Sequence, residues 1–119
     1  MYMKTRVKGN RIRQMVIKHL ESKGFEVAIV ERTGRFIFPK DMFGLFDLVA
    51  IDEIGVSFVQ VSTNTPHTHK NFVEFIKKYP HMSGDIFQFV WIDNKGFNIF
   101  QYTIDNYEEV GKYVKVNTI

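Results

Sequence analysis

Two apolar runs in the middle of the chain constrain its fold most. Phe46-Asp47-Leu48-Val49-Ala50-Ile51-Asp52 and Val56-Ser57-Phe58-Val59-Gln60-Val61-Ser62 are each one strand long, and only Glu53-Ile54-Gly55 separates them. Near-continuous apolar runs, as opposed to alternating ones, mark strands covered on both faces. So tight a turn makes the two runs partners in a hairpin. The chain therefore builds a sheet with layers on both sides. Its 119 residues suffice for one such domain, over 1–119, and leave no room for a second core.

The remaining elements arrange themselves around that hairpin. Ile12, Met15, Val16 and Leu20 recur at three- and four-residue spacing and predict a helix over 6–23, stopped by Gly24. Residues 25–31 read as a strand, 33–35 as a turn and 36–44 as a loop with Pro39 and Gly44. After the hairpin, Thr65 as cap and Pro66 as first helical residue open a second helix. Phe72, Phe75, Ile76 and Tyr79 form its apolar stripe, and Pro80 ends it. Residues 85–92 and 97–102 read as strands joined by a turn at 93–96, and 105–114 as a short closing helix. The order is α-β-β-β-α-β-β-α. It describes an α/β three-layer sandwich with a mixed central sheet of about five strands. Phe36, Phe38, Met42 and Phe43 punctuate the 36–44 loop as core, dimer contact or a wedge against unstacked bases, core being the commonest fate of such side chains. The apolar 86–102 hairpin offers a surface for a homodimer.

Composition removes several function classes. The chain has no cysteine, which excludes a disulfide scaffold, a thiol nucleophile and a Cys-ligated metal. No stretch reaches the ~18 apolar residues of a membrane span. No apolar run follows the charges of the first residues, so no secretory signal is expected and a cytoplasmic location is. Charge is unevenly spread. Residues 1–40 carry ten basic and three acidic side chains, and 41–119 carry six basic and ten acidic. A third of the chain at net +7 against a remainder at −4 sets up a directed field and points to a polyanion, most simply DNA. Lys8, Arg11, Arg13 and Lys18 on the first helix, with Arg32 and Arg35 after the first strand, are the candidate phosphate contacts.

Asp47 breaks an otherwise apolar strand, and a buried carboxylate costs several kcal/mol unless it is paired or holds a cation. Gln60 interrupts the other strand, and Ser62, two residues on, projects from the same face. A hairpin tip near Ile54 places Asp47 beside Gln60 and Ser62. One carboxylate, one amide oxygen and a hydroxyl make a lean but adequate set for Mg²⁺, which keeps most of its waters. The competing reading is a cross-sheet hydrogen-bond cluster with Asp47 capping a loop.

These residues resemble a known pattern. The basic helix opening on Lys8-Gly9-Asn10-Arg11 and closing on Lys23-Gly24-Phe25-Glu26-Val27 is followed by Thr33-Gly34-Arg35, Phe46-Asp47-Leu48-Val49-Ala50 and Val59-Gln60-Val61-Ser62. Over residues 6–92 this is similar to the PD-(D/E)xK, or restriction-endonuclease-like, superfamily, and most of all to small archaeal Holliday-junction resolvases and related archaeal and viral nucleases. The resemblance implies Mg²⁺- or Mn²⁺-dependent phosphodiester hydrolysis on duplex or branched DNA. It implies metal binding by Asp47, with Gln60 standing where the family has Glu and Ser62 where it has Lys. Phe46 replaces the usual Pro, and Arg13 occupies the place of a first-helix Glu. Lys70 is the candidate for a displaced lysine, and Glu21, Glu26 or Glu31 for a second carboxylate. The same substitutions are expected of a catalytically inactive DNA-binding or assembly module of that fold.

His67-Thr68-His69 suggests a third reading, the metal-binding His pair of a rolling-circle replication initiator with Tyr79 or Tyr102 as nucleophile. The fit is poor, because Pro66 points to a helix entry. Helical residues two apart diverge by ~200° and cannot share an ion.

Overall fold

The computed structural model describes residues 5–30, 32–34, 37–40, 43–81, 84–104 and 106–116; of 5–7, 32–34 and 37–40 it describes the backbone alone. Helix α1 (Thr5–Ser22) forms on the expected stripe. Ile12 and Val16 are completely buried and Leu20 nearly so, against Leu48, Ala50, Val59, Phe89 and Phe97. Strands β1 (Glu26–Ile29), β4 (Leu48–Ile51), β5 (Val56–Thr63), β6 (Asp85–Ile92), β7 (Gly96–Tyr102) and β8 (Tyr107–Val114) form one sheet in the order β1-β4-β5-β6-β7-β8. β5 and β6 run parallel, and every other pair is antiparallel. The parallel pair needs a crossover, and helix α2 (His69–Lys78) supplies it on the face opposite α1. There Phe72 is wholly buried among Phe46, Ile86 and Tyr102. The result is the expected three-layer α/β sandwich. No helix among the described residues is long and apolar enough to cross a membrane.

Three elements differ from the sequence expectation. Residues 107–114 are strand β8 and not a closing helix. Tyr107, Val110, Tyr113 and Val114 are aromatic or β-branched, and the open edge of β7 gives them a partner. Gly111 sits where a Cβ would lie 2.8 Å from Val114 Cγ2 and 3.3 Å from Ile99, so the register shift at Ile99 leaves room for glycine alone. Within the 36–44 segment, β3 (Ile37–Lys40) pairs with β2 (Arg32–Gly34) as a separate two-stranded ribbon. Among the described residues the main sheet therefore has six strands and the fold two helices. The second helix also starts late, at His69, with Thr68 and not Thr65 at the cap position and no side-chain capping bond. Pro66 stays outside it, because the 64–68 segment is held to the sheet by the side chains described below.

The 86–102 hairpin is enclosed by β5 and β8, so the free edges of the sheet belong to β1 and β8. Of the four loop aromatics, Phe36 and Met42 lie outside the described residues and Phe38 is described by its backbone alone. Phe43 is exposed, its ring 5.7 Å from that of Phe75.

Candidate functional site

The β4–β5 register pairs Leu48 with Val59, so Asp47 stands opposite Gln60 where the ladder ends. Asp47 is at a bend. Its N–H donates to Val59 O (3.1 Å), its carbonyl accepts from Val30 N–H (3.0 Å), and its carboxylate Oδ1 accepts from Val61 N–H (3.1 Å). The side chain thus takes over from the backbone as the acceptor facing β5 as the strand turns away. Asp47, Gln60 and Ser62 are all buried, at 7%, 3% and 7% exposure. The register sets Asp47 opposite Gln60, and Ser62 follows two residues along β5.

The parallel partner β6 completes the cluster. Gln60 faces Gln88 and Ser62 faces Val90 in register. Gln88 is fully buried, and its amide is saturated. Its Oε1 accepts from Ser62 Oγ (2.7 Å) and His67 N–H (2.6 Å), and its Nε2 donates to the Tyr102 hydroxyl (2.7 Å). The Tyr102 hydroxyl in turn shares a hydrogen bond with His69 Nδ1 (2.6 Å), and the His69 ring stacks on Tyr107 at 4.1 Å. A buried polar network persists when every member is satisfied, and this one is closed from Ser62 to His69. Gln60 Nε2 donates to His67 Nε2 at 2.8 Å, which directs the other end of the amide, its oxygen, away from the histidine.

Titration follows this burial. Desolvation lowers the His69 pKa and holds the ring neutral at neutral pH. Desolvation raises the Tyr102 hydroxyl to about 12, against a smaller lowering by the Gln88 bond. A hydroxyl so placed is no nucleophile near pH 7, and His67 and His69 have different partners, so the geometry gives the initiator reading no support.

The remaining candidates separate. Ser62 has its proton committed to Gln88, so it offers the pocket only an acceptor oxygen. Lys70 stands on the exposed flank of α2, 3.6 Å from Glu74, and is not gathered into the Asp47–Gln60 cluster. Glu26 pairs with Ile51, at the far end of β4 from Asp47, and Glu21 is exposed on α1. Arg35 and Glu31 lie outside the described residues, as does the side chain of Arg32. Arg13 is half-buried and donates to Asn10 Oδ1 at 3.2 Å. Because α1 packs on the face away from Gln60, Arg11 and Lys18 line a groove beside Trp91 and do not rim the Asp47 cluster.

Lys8 does reach the same end of the sheet. Asp93 Oδ2 accepts from Lys8 Nζ (2.8 Å) and Asn64 Nδ2 (3.0 Å), and its Oδ1 accepts from Trp91 Nε1 (2.9 Å). The bonds from Lys8 and Asn64 are the main causes that pull the Asp93 pKa down to about 2. A depressed carboxylate contributes stability above its unfolded pKa and loses it as pH falls through the folded one. Acidification from about pH 4 to pH 2 is therefore expected to release the clasp. Emission of Trp91, the chain's one tryptophan, should step over that interval, and Asp93→Asn should abolish the step. An identical step in the variant would contradict the assignment.

The donor set fits a hydrated cation. Among the described residues no three His, Cys, Asp or Glu side chains cluster as metal ligands. Asp47 and Gln60 supply one carboxylate and one amide oxygen, which suits Mg²⁺ or Mn²⁺ retaining several waters. Sequence reasoning missed Gln88, and it read His67, His69 and Tyr102 as an initiator's metal pair and nucleophile, where the structure makes them parts of this hydrogen-bond network. Gln88 had the same signal as Gln60, a lone amide in an apolar strand.

Structural comparison matches this architecture to a solved protein. The fold is similar to that of Hjc, a Holliday junction resolvase from the archaeal hyperthermophile Archaeoglobus fulgidus. The TM-score is 0.53 at 15% identity, over 78% of this chain and 76% of that one. At that identity the likeness is one of fold. No family model matches the sequence, and no curated protein matches it.

Proposed function

We propose that this chain is a DNA-acting protein of the resolvase fold that hydrolyses phosphodiester bonds of duplex or branched DNA with a divalent cation held by Asp47 and Gln60. The observation that supports this most is the register of β4 on β5, which sets Asp47, the one buried carboxylate among the described residues, opposite Gln60. A bound Mg²⁺ or Mn²⁺ supplies charge to the scissile phosphate and lowers the pKa of its water. Asp47 contributes the negative ligand. Gln60 contributes its amide oxygen, and His67 is a positioning residue that engages the amide nitrogen and so sets which way the oxygen points. Ser62 contributes an acceptor oxygen toward the water or substrate. Cutting a symmetric substrate on both strands calls for a second copy of the chain.

The second reading is a DNA-binding module of the same fold without cleavage. It is favoured by Asp47 being the one buried carboxylate among the described residues and by the commitment of Ser62 to Gln88.

Supercoiled plasmid and a four-way junction, each with Mg²⁺ or Mn²⁺, separate the two. We expect nicking, or linearisation if two copies act together. Asp47→Asn should lower the rate at least ~100-fold, as loss of an essential metal ligand does, with DNA affinity retained. Cleavage that survives Asp47→Asn overturns the site, and binding with no cleavage under either cation supports the second reading.

A further inference from the structure

We infer that the groove between α1 and Trp91 is a binding site for single-stranded DNA, with Trp91 stacking on an unpaired base and Arg11 and Lys18 contacting its flanking phosphates. The inference rests on the proposed action on DNA and adds a second contact surface to it, on the other face of the sheet from Asp47.

The groove is built from one stripe of α1. Arg11, Gln14, Met15 and Lys18 follow at three- and four-residue spacing and therefore share a helix face. With Trp91 they line an open groove of about 480 Å³, the size of a small-ligand site. Among the described residues, neither Arg11 nor Lys18 has an ion-pair or hydrogen-bond partner, whereas Lys8 is spent on Asp93 and Lys70 on Glu74. Two unneutralised cations about two turns apart on one helix face, in the basic third of the chain, match a phosphodiester backbone.

Trp91 is held in place for stacking. Its indole N–H is fixed to Asp93 Oδ1 at 2.9 Å, and Phe97 packs edge-on at 5.1 Å and 65°. The ring is half-buried and lines the groove between the two cations' helix and the sheet. An aromatic at the floor of a cationic groove accepts a base only when that base is out of its stack, which selects single strands over duplex. Thr63 pairs with Trp91 in register, one position beyond the Ser62–Val90 pair, so groove and Asp47 cluster lie back to back at one end of the sheet.

Because Trp91 is the chain's one tryptophan, its emission reports the groove directly. Full-length protein is titrated with oligothymidylate while anisotropy of a labelled copy reports binding independently. The expected result is quenching of Trp91 over the same concentrations as binding. Arg11→Ala with Lys18→Ala, both exposed and outside the core, should weaken oligothymidylate binding. It should also cut the salt slope by about 0.7 per contact. Trp91→Leu should weaken it roughly 5- to 150-fold, the equivalent of ~1–3 kcal/mol for one stacked base. Oligothymidylate binding with unchanged Trp91 emission and an unaffected double variant overturns the inference, as does duplex binding without any oligothymidylate binding, and both leave the proposed function standing. Binding of neither form of DNA removes both.

Discussion

Gln88→Leu is expected to destabilise the protein by about 3 kcal/mol, which a urea melt followed by circular dichroism would read. The volume is nearly conserved, so the loss comes from what the amide leaves behind. Ser62 Oγ, His67 N–H and the Tyr102 hydroxyl all lose a partner. Each buried, unsatisfied group costs ~1–3 kcal/mol, reduced where water can enter. Two of these groups are buried, and His67 lies in an exposed segment where solvent compensates. The variant should also free residues 64–68 from the sheet, and with them the His67 contact that orients Gln60. Amide exchange at His67 is therefore expected to quicken alongside the global loss. A stability change under ~1 kcal/mol with His67 still protected would show that Gln88 does not hold this network.

Phe72→Ala is expected to cost about 3–5 kcal/mol, the range for truncating a fully buried phenylalanine. Phe72 is the fully buried residue of α2, stacked on Tyr102 at 4.5 Å and set 6.0 Å from Phe46. No other α2 side chain is as deeply placed, and Phe75 and Ile76 are only half-buried. The cavity lies directly under the crossover helix, so the loss should appear as early melting of α2 and as solvent access to Tyr102. The phenol would then titrate below its present value of about 12. Tyrosinate absorbance during an alkaline titration reads this. Unchanged titration together with unchanged melting would place the weight of the α2 packing elsewhere.

The sequence was informative where burial and local chemistry agree. The apolar runs on either side of Glu53-Ile54-Gly55 are strands β4 and β5, and the turn length fixes the register that sets Asp47 against Gln60. The α1 stripe was equally legible, since Ile12, Val16 and Leu20 bury as spaced. What was not legible depends on partners far along the chain. Residues 107–114 mix strand-favouring Tyr and Val with Glu, Lys and Gly, and pairing with β7 decides that they form a strand. Thr65-Pro66 has the chemistry of a helix start. That start is overridden because the Gln88 amide, twenty-one residues away, captures the His67 N–H. The short β2–β3 ribbon contains Pro39 and has no apolar alternation to betray it.

The basic helix illustrates a different limit. Its charges were visible, but not the face of the sheet on which it lies. That face separates Arg11 and Lys18 from Asp47 and gives them Trp91 as a neighbour. Lys70 likewise looked close in sequence to β5, yet the α2 turn carries it out to Glu74.

Anomalous diffraction from a crystal of the protein soaked in Mn²⁺ addresses the central claim most directly. A single Mn²⁺ peak within bonding distance of an Asp47 carboxylate oxygen and of Gln60 Oε1, absent in Asp47→Asn, is the expected result. A soaked crystal with no peak there, or with the ion held by other side chains, would contradict it.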